Sequence, residues 1–149
     1  MSPSLRKLSE NGANPPQYKT LLFLDTDILS YLLANNEAVI NRITVHTRQD
    51  EQTVITAITV YEILKGFRHK PRPKKETMFN EFLQKIRVCP LDDDAIRIAA
   101  DIYGALNKIW KPCGNTDILL AAIVVRNNGI LYTNNIRHFE FIPHLKLLR

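Results

Sequence analysis

The chain of 149 residues has little cysteine, and its two copies, Cys89 and Cys113, form no CxxC pair and no metal-like spacing. Two isolated thiols suit a reducing cytoplasm, and each reads as a small core or edge residue rather than a nucleophile. No segment approaches the ~20 uninterrupted apolar residues that span a bilayer. The opening stretch MSPSLRKLSENGANPPQ lacks the apolar centre of a signal peptide, so export is not expected and the cytoplasm is. His46, His69, His138 and His144 fall at no HExxH-like spacing, which disfavours zinc. Internal repeats and low-complexity tracts are absent too.

What is present is a core-forming composition, 45% hydrophobic, in a length that suits one globular domain. The net charge is +5 and the pI about 9.3, a basic excess that favours a polyanionic partner. Residues 1–17 are polar, carry Gly12 and Pro15-Pro16, and read as a flexible lead-in to a domain over 18–149. From there, short apolar runs alternate with helical patterns. TLLFLD reads as a strand and ILSYLLAN as a helix capped by Thr26 or Asp27. QTVITAIT reads as a second strand, followed by a helical face of Val60, Ile63, Leu64 and Phe67, with Gly66 as its weak point or end. RHKPRPKK breaks the periodicity as a loop or arm, before a helix in ETMFNEFLQKI and a short strand in IRVCPL. DDDAIRIAADIYGALNKIW places Ile96, Ala99, Ala100, Tyr103 and Leu106 on one stripe. The nearly all-apolar helix NTDILLAAIVVRNNG ends at Gly129 as a C-terminal cap, and ILYTNN and LKLL supply the last strands. Such alternation predicts an α/β fold with a parallel sheet covered on both faces.

In parallel sheets, sites collect at the carboxyl ends of the strands, and this rule sorts the acidic residues. Asp25 ends the first strand, Glu62 lies in the first turn or so of the helix after the second, and Asp117 opens the apolar helix. Each has an ordinary alternative: a loop cap for Asp25, a solvent-facing helix residue for Glu62, and a cap for Asp117 behind Asn115 and Thr116. Together they suggest Mg²⁺ or Mn²⁺, hard cations that take carboxylate oxygens, retain waters and bind substrate phosphates. Thr133 and Asn135, after the strand ILYT, are candidate supporting residues. His138 reads as a loop or surface residue rather than a catalytic base.

The ordered set FLDTDILSYLL, ITAITVYEILKGF and NTDILLAAIVVRNNGILYTNNIRHFEFIPHLKL resembles the PIN-domain ribonucleases, specifically the VapC-type toxins of bacterial toxin–antitoxin pairs. The resemblance runs from about Lys19 to the C-terminus. It implies a five-stranded parallel sheet flanked by helices and a metal-dependent endoribonuclease, with the family's acidic positions at Asp25, Glu62 and Asp117. It also implies a cognate antitoxin as partner and a homodimer. The chain departs from many relatives in carrying Asp27 where they have Asn, and from some in carrying Asn135 where they have Asp. A neutral oxygen at Asn135 favours a one-metal site, or a second ion recruited with the RNA.

Two rivals stand beside this reading. A haloacid dehalogenase-type phosphatase would use Asp25 as nucleophile in the Asp-x-Asp pair, and VCPLDDD mimics its later acidic motif. Against it stand the short chain and Leu29 where Thr or Val is usual, and Asp92–Asp94 read better as a cap and acidic first turn. A non-catalytic RNA-binding PIN-like module is the other, with Asn135 its support. Arg68, Lys70, Arg72, Lys74 and Lys75 in RHKPRPKK are candidate RNA-gripping cations; the bland alternative is a solvated, proline-stiffened loop.

Overall fold

The strand that begins at Thr20 sits in the middle of everything that follows. The computed structural model describes residues 20–48 and 51–149, and the expected lead-in over 1–17 lies outside the described residues. Twelve elements follow in the order β1 (Thr20–Leu24), α1 (Thr26–Leu33), α2 (Glu37–Thr47), β2 (Glu51–Thr56), α3 (Ala57–His69), α4 (Pro73–Leu83), β3 (Val88–Cys89), α5 (Asp93–Lys108), α6 (Asn115–Arg126), β4 (Ile130–Tyr132), α7 (Ile136–Phe139) and β5 (Lys146–Leu147). The five strands are all parallel, in the spatial order β3-β2-β1-β4-β5. The chain winds outward from β1 first to one side and then to the other. A crevice therefore opens between the carboxyl ends of β1 and β4, the switch point where such folds bind ligands.

Side chains alternate across each strand, so the sheet divides two cores. Phe23, Val54 and Leu131 pack on one face with α5, α6 and α7, and Leu22, Leu24, Ile55 and Tyr132 pack on the other with α1, α2 and α4. Helix α6 is buried nearly all round, from Ile118 to Val124, as its unbroken apolar run requires. Among the described residues, no helix is long and apolar enough to cross a membrane.

Several local expectations are corrected. Asp25, rather than Thr26 or Asp27, caps α1, accepting from the Thr26 amide. The second strand stops at Thr56, whose hydroxyl caps α3 by accepting from Thr59 N at 3.1 Å, so Glu62 lies in the second turn. Helix α3 runs through Gly66, which has open space around its Cα, to His69. RHKPRPKK is not an arm: it is the end of α3, a short junction, and the start of α4, where Pro73 takes the first helical position that tolerates a missing N–H. On α5 the buried stripe is Ala95, Ala99, Ile102 and Leu106: Ala99 and Leu106 lie where expected, whereas Ile96, Ala100 and Tyr103 face solvent and Ala95 and Ile102 are buried in their stead. At the end of α6 it is Asn128, at φ 52°, that takes the left-handed position. Its amide bonds Val125 O, while Gly129 N reaches back to Val124 O, the bond pair of a Schellman cap. Gly129 is needed for another reason: a Cβ there would meet the Phe23 ring at 2.5 Å.

Candidate active site

Asp25 is placed by two elements at once. Its amide bonds Tyr132 O at 2.9 Å, continuing the β1–β4 ladder, and its side chain caps α1 by accepting from Thr26 N at 2.8 Å. Its other carboxylate oxygen accepts from the Thr133 hydroxyl at 2.7 Å. Both oxygens are thus held, and the residue is 6% exposed. Thr133, itself buried, is in turn fixed by Asn135 N, which donates to its hydroxyl oxygen at 3.0 Å.

Glu62 reaches the same crevice from α3. The Thr26 hydroxyl donates to its Oε1 at 3.0 Å, so one residue supports two carboxylates, through its amide and through its side chain. Asp117 enters from the first turn of α6, where Gly114 occupies the cap position and no side chain caps the helix. The cap reading of Asp117, Asn115 and Thr116 therefore does not hold. His138 Nδ1 lies 3.3 Å from Asp117 Oδ2, and Cys113 Sγ donates to His138 O at 3.4 Å, tying the approach to α6 onto α7.

Burial raises the pKa of Asp25 above its ordinary 3.8; the bonds from Thr133 and Thr26 oppose that, and the charges of Asp117 and Asp27 add to it. Glu62 is raised from 4.5 chiefly by burial, with Asp25 and Asp117 adding and Thr26 and Lys65 opposing. Asp117 is raised by burial, is eased by His138, and feels Asp27. Three carboxylates are thus desolvated at one crevice, and the exposed Asp27 stands at its rim. Asp27, in sequence a cap, a family departure or the second member of an Asp-x-Asp pair, joins them at the rim. Its Oδ2 accepts from Asn135 Nδ2 at 3.2 Å, so Asn135 bridges the β4 end to α1. The signal for Asp27 was its place in the first turn of the helix that Asp25 caps.

Hard oxygen donors held from three elements fit a cation such as Mg²⁺ or Mn²⁺. Among the described residues, no three His, Cys, Asp or Glu side chains are gathered so as to hold a metal ion by themselves. The crevice is instead an open acidic rim, the arrangement suited to an ion that keeps several waters and leaves positions for phosphate oxygens.

The other candidates fall elsewhere. Asp92 caps α5 by accepting from Ala95 N at 2.8 Å, and Asp92 and Asp94 pair with Arg126 at 3.5 and 3.2 Å. Arg126 ends α6, about 14 Å along the axis from Asp117. The acidic run that would serve a phosphatase is therefore not part of the crevice. Arg68 is bound to Glu76 at 2.8 Å. Lys70, Arg72 and Lys75 edge a cavity of about 360 Å³ floored by Ile63, Phe67 and Phe79, and Lys74 is exposed in the first turn of α4. Lys70, Arg72 and Lys75 thus line a groove between α1, α3 and α4 rather than the acid cluster. The thiols of Cys89 and Cys113 are pushed up, by burial above all, and neither is a ready nucleophile.

Comparison with known proteins identifies the class. A PIN domain family model matches residues 22–143, and the chain belongs to that family. Among individual proteins it is similar to Ribonuclease VapC1 of Haemophilus influenzae (strain R2866), 24% identical over 127 residues, 85% of this chain and 95% of that one. It is also similar to the tRNA(fMet)-specific endonuclease VapC of Salmonella typhimurium, 25% identical over 83% of this chain and 93% of that one. In structure it resembles VapBC2 from Rickettsia felis, solved bound to a promoter DNA fragment, with a TM-score of 0.78 and 21% identity over 87% of this chain and 98% of that chain.

Proposed function

We propose that this chain is a metal-dependent endoribonuclease that hydrolyses RNA phosphodiester bonds, acting in the cytoplasm as the toxin of a type II toxin–antitoxin pair. One observation carries the reading: Asp25, Glu62 and Asp117, from three separate elements, face the crevice between β1 and β4, where burial raises all three pKa values, Asp117 adds to the rise of Asp25 and Glu62, and Asp25 adds to that of Glu62. Buried carboxylates that repel one another are costly unless a cation joins them. The names of the relatives, a ribonuclease and a tRNA endonuclease matched over more than nine-tenths of their lengths, support the same reaction. The toxin role and a cognate antitoxin are supported by structural relatives solved as toxin–antitoxin complexes, and a homodimer is part of the same proposal.

Asp25, Glu62 and Asp117 would hold Mg²⁺ or Mn²⁺, which when bound lowers the pKa of water and stabilises charge on a phosphodiester. The chain's own part is to fix those oxygens beforehand. Thr133 and the Thr26 amide lock Asp25, the Thr26 hydroxyl locks Glu62, and His138 orients Asp117. The basic excess of +5 draws the polyanion in. The test is cleavage of single-stranded RNA by the purified chain with Mg²⁺ or Mn²⁺, beside the Asp25→Asn variant. Cleavage by wild type alone, lost in EDTA, is expected. RNA binding without cleavage under any divalent ion would make the chain a non-catalytic module.

A further inference from the structure

Helix α5 ends in the hydrogen bonds of a Schellman cap: Trp110 N donates to Asn107 O at 3.3 Å and Lys111 N to Leu106 O at 3.1 Å. The left-handed position of that motif ordinarily belongs to glycine, and here Trp110 fills it at φ 56°. Nothing in the core accounts for the bulky residue, because Trp110 is 88% exposed. A strained backbone that presents an unpacked indole to solvent points to a contact made outside the fold.

The indole edges a cavity of about 250 Å³ between the end of α5 and the start of α6. Leu106 and Ile118 give it an apolar floor, Tyr103 a second ring, and Asn107 and Lys111 a polar rim. That is below the roughly 300–1,000 Å³ of pockets for drug-sized ligands and suits one planar heterocycle. The cleft adjoins the acid cluster. Ile118 follows Asp117 in the chain, and a Cβ on Gly114 would lie 3.9 Å from Asp117 Oδ2. Cys113, also in the lining, bonds to the backbone of the same His138 that touches Asp117. The Lys111 ammonium, 4.7 Å from the Phe141 ring centroid, sets a cation at the outer edge.

We propose that this cleft binds an unpaired nucleobase of the RNA next to the scissile phosphate, stacked on Trp110, with Asn107 facing the base edge and Lys111 the backbone. The inference rests on the ribonuclease reading above and deepens it, by assigning a base subsite beside the acid cluster. Every base offers a π-face to an indole, and unstacked bases in single-stranded RNA are what proteins read.

Trp110 is the sole tryptophan, so its emission reports this site alone. A short single-stranded oligoribonucleotide titrated into the Asp25→Asn protein with Mg²⁺ should quench it saturably. An oligonucleotide with an abasic residue at the critical position should not. In the active protein, Trp110→Ala should raise KM by roughly 5- to 150-fold, the range found for lost base stacking, with kcat little changed, and Trp110→Phe should recover most of the loss. Binding seen by anisotropy while Trp110 stays silent overturns this subsite and leaves the ribonuclease reading standing. An RNA that neither binds nor is cut overturns both. A Trp110→Ala protein that cleaves normally but sediments as a smaller species would assign the indole to a second copy of the chain, and the base subsite would be wrong.

Discussion

The hydroxyl of Thr133 donates to Asp25 Oδ2 at 2.7 Å across 108 positions of sequence, and this single bond stitches the end of β4 to the end of β1. It favours the ionised form of Asp25 against the burial that opposes it. Thr133→Val should therefore raise the Asp25 pKa further, and the acid limb of the pH–rate profile should move to higher pH. The variant should also lose about 1.5–3 kcal/mol of stability, the usual scale for a hydrogen bond to a charged group. An acid limb that stays in place in Thr133→Val would separate Asp25 from the rate.

Glu62 and Asp117 carry raised pKa values, so their ionisation opposes folding in the metal-free chain. For groups shifted upward, the stabilising contribution is complete below the unfolded values near 4 and is lost as pH rises through the folded ones. Metal-free stability should accordingly fall as pH climbs out of that window. Glu62→Gln and Asp117→Asn should each raise the neutral-pH melting temperature by roughly 2–4 °C, about 1 kcal/mol in a domain of this length, while abolishing cleavage. Calorimetric melts in EDTA at two pH values check the sign.

Mg²⁺ or Mn²⁺ should reverse that penalty. An ion that binds the folded crevice and hardly the unfolded chain stabilises by mass action, by about 2.7 kcal/mol at a hundred times its Kd. The increase should vanish in Asp25→Asn. A melting temperature indifferent to both ions would remove the metal from the mechanism.

Neutralising Arg72, Lys74 and Lys75 together should weaken RNA binding across sequences. It should also flatten the slope of log affinity against log salt by about 2, at roughly 0.7 for each single-strand phosphate contact. An unchanged slope would leave these residues as the cationic rim of the apolar groove beside α3 and α4.

Asn135→Asp would replace the amide that donates to Asp27 with a second carboxylate at 3.2 Å range. The metal-free protein should melt lower through like-charge repulsion, and Mg²⁺ should bind more tightly, because charge count governs affinity for hard cations. Opposite shifts in melting and in calorimetric ion affinity are expected together.

The layered α/β order and the positions of Asp25, Glu62 and Asp117 were legible in the chain because they depend on local pattern: buried runs such as LLFL, period-3.6 stripes, a charge just past the first strand and charges near the starts of two apolar helices. Element ends were less legible, since QTVITAIT has strand propensity throughout while the Thr56 cap hands its last residues to α3. On α5, Ala99 and Leu106 are legible as buried, but Ile96 and Tyr103 are as apolar as Ala95 and Ile102, and only packing against the rest of the core selects the latter pair. The pairing of Thr133 with Asp25, of Asn135 with Asp27, of Thr26 with Glu62 and of Cys113 with His138 was decided only when the sheet brought distant segments together. A hydrogen bond depends on a few tenths of an ångström and a direction, and no pattern of spacing along a sequence contains either.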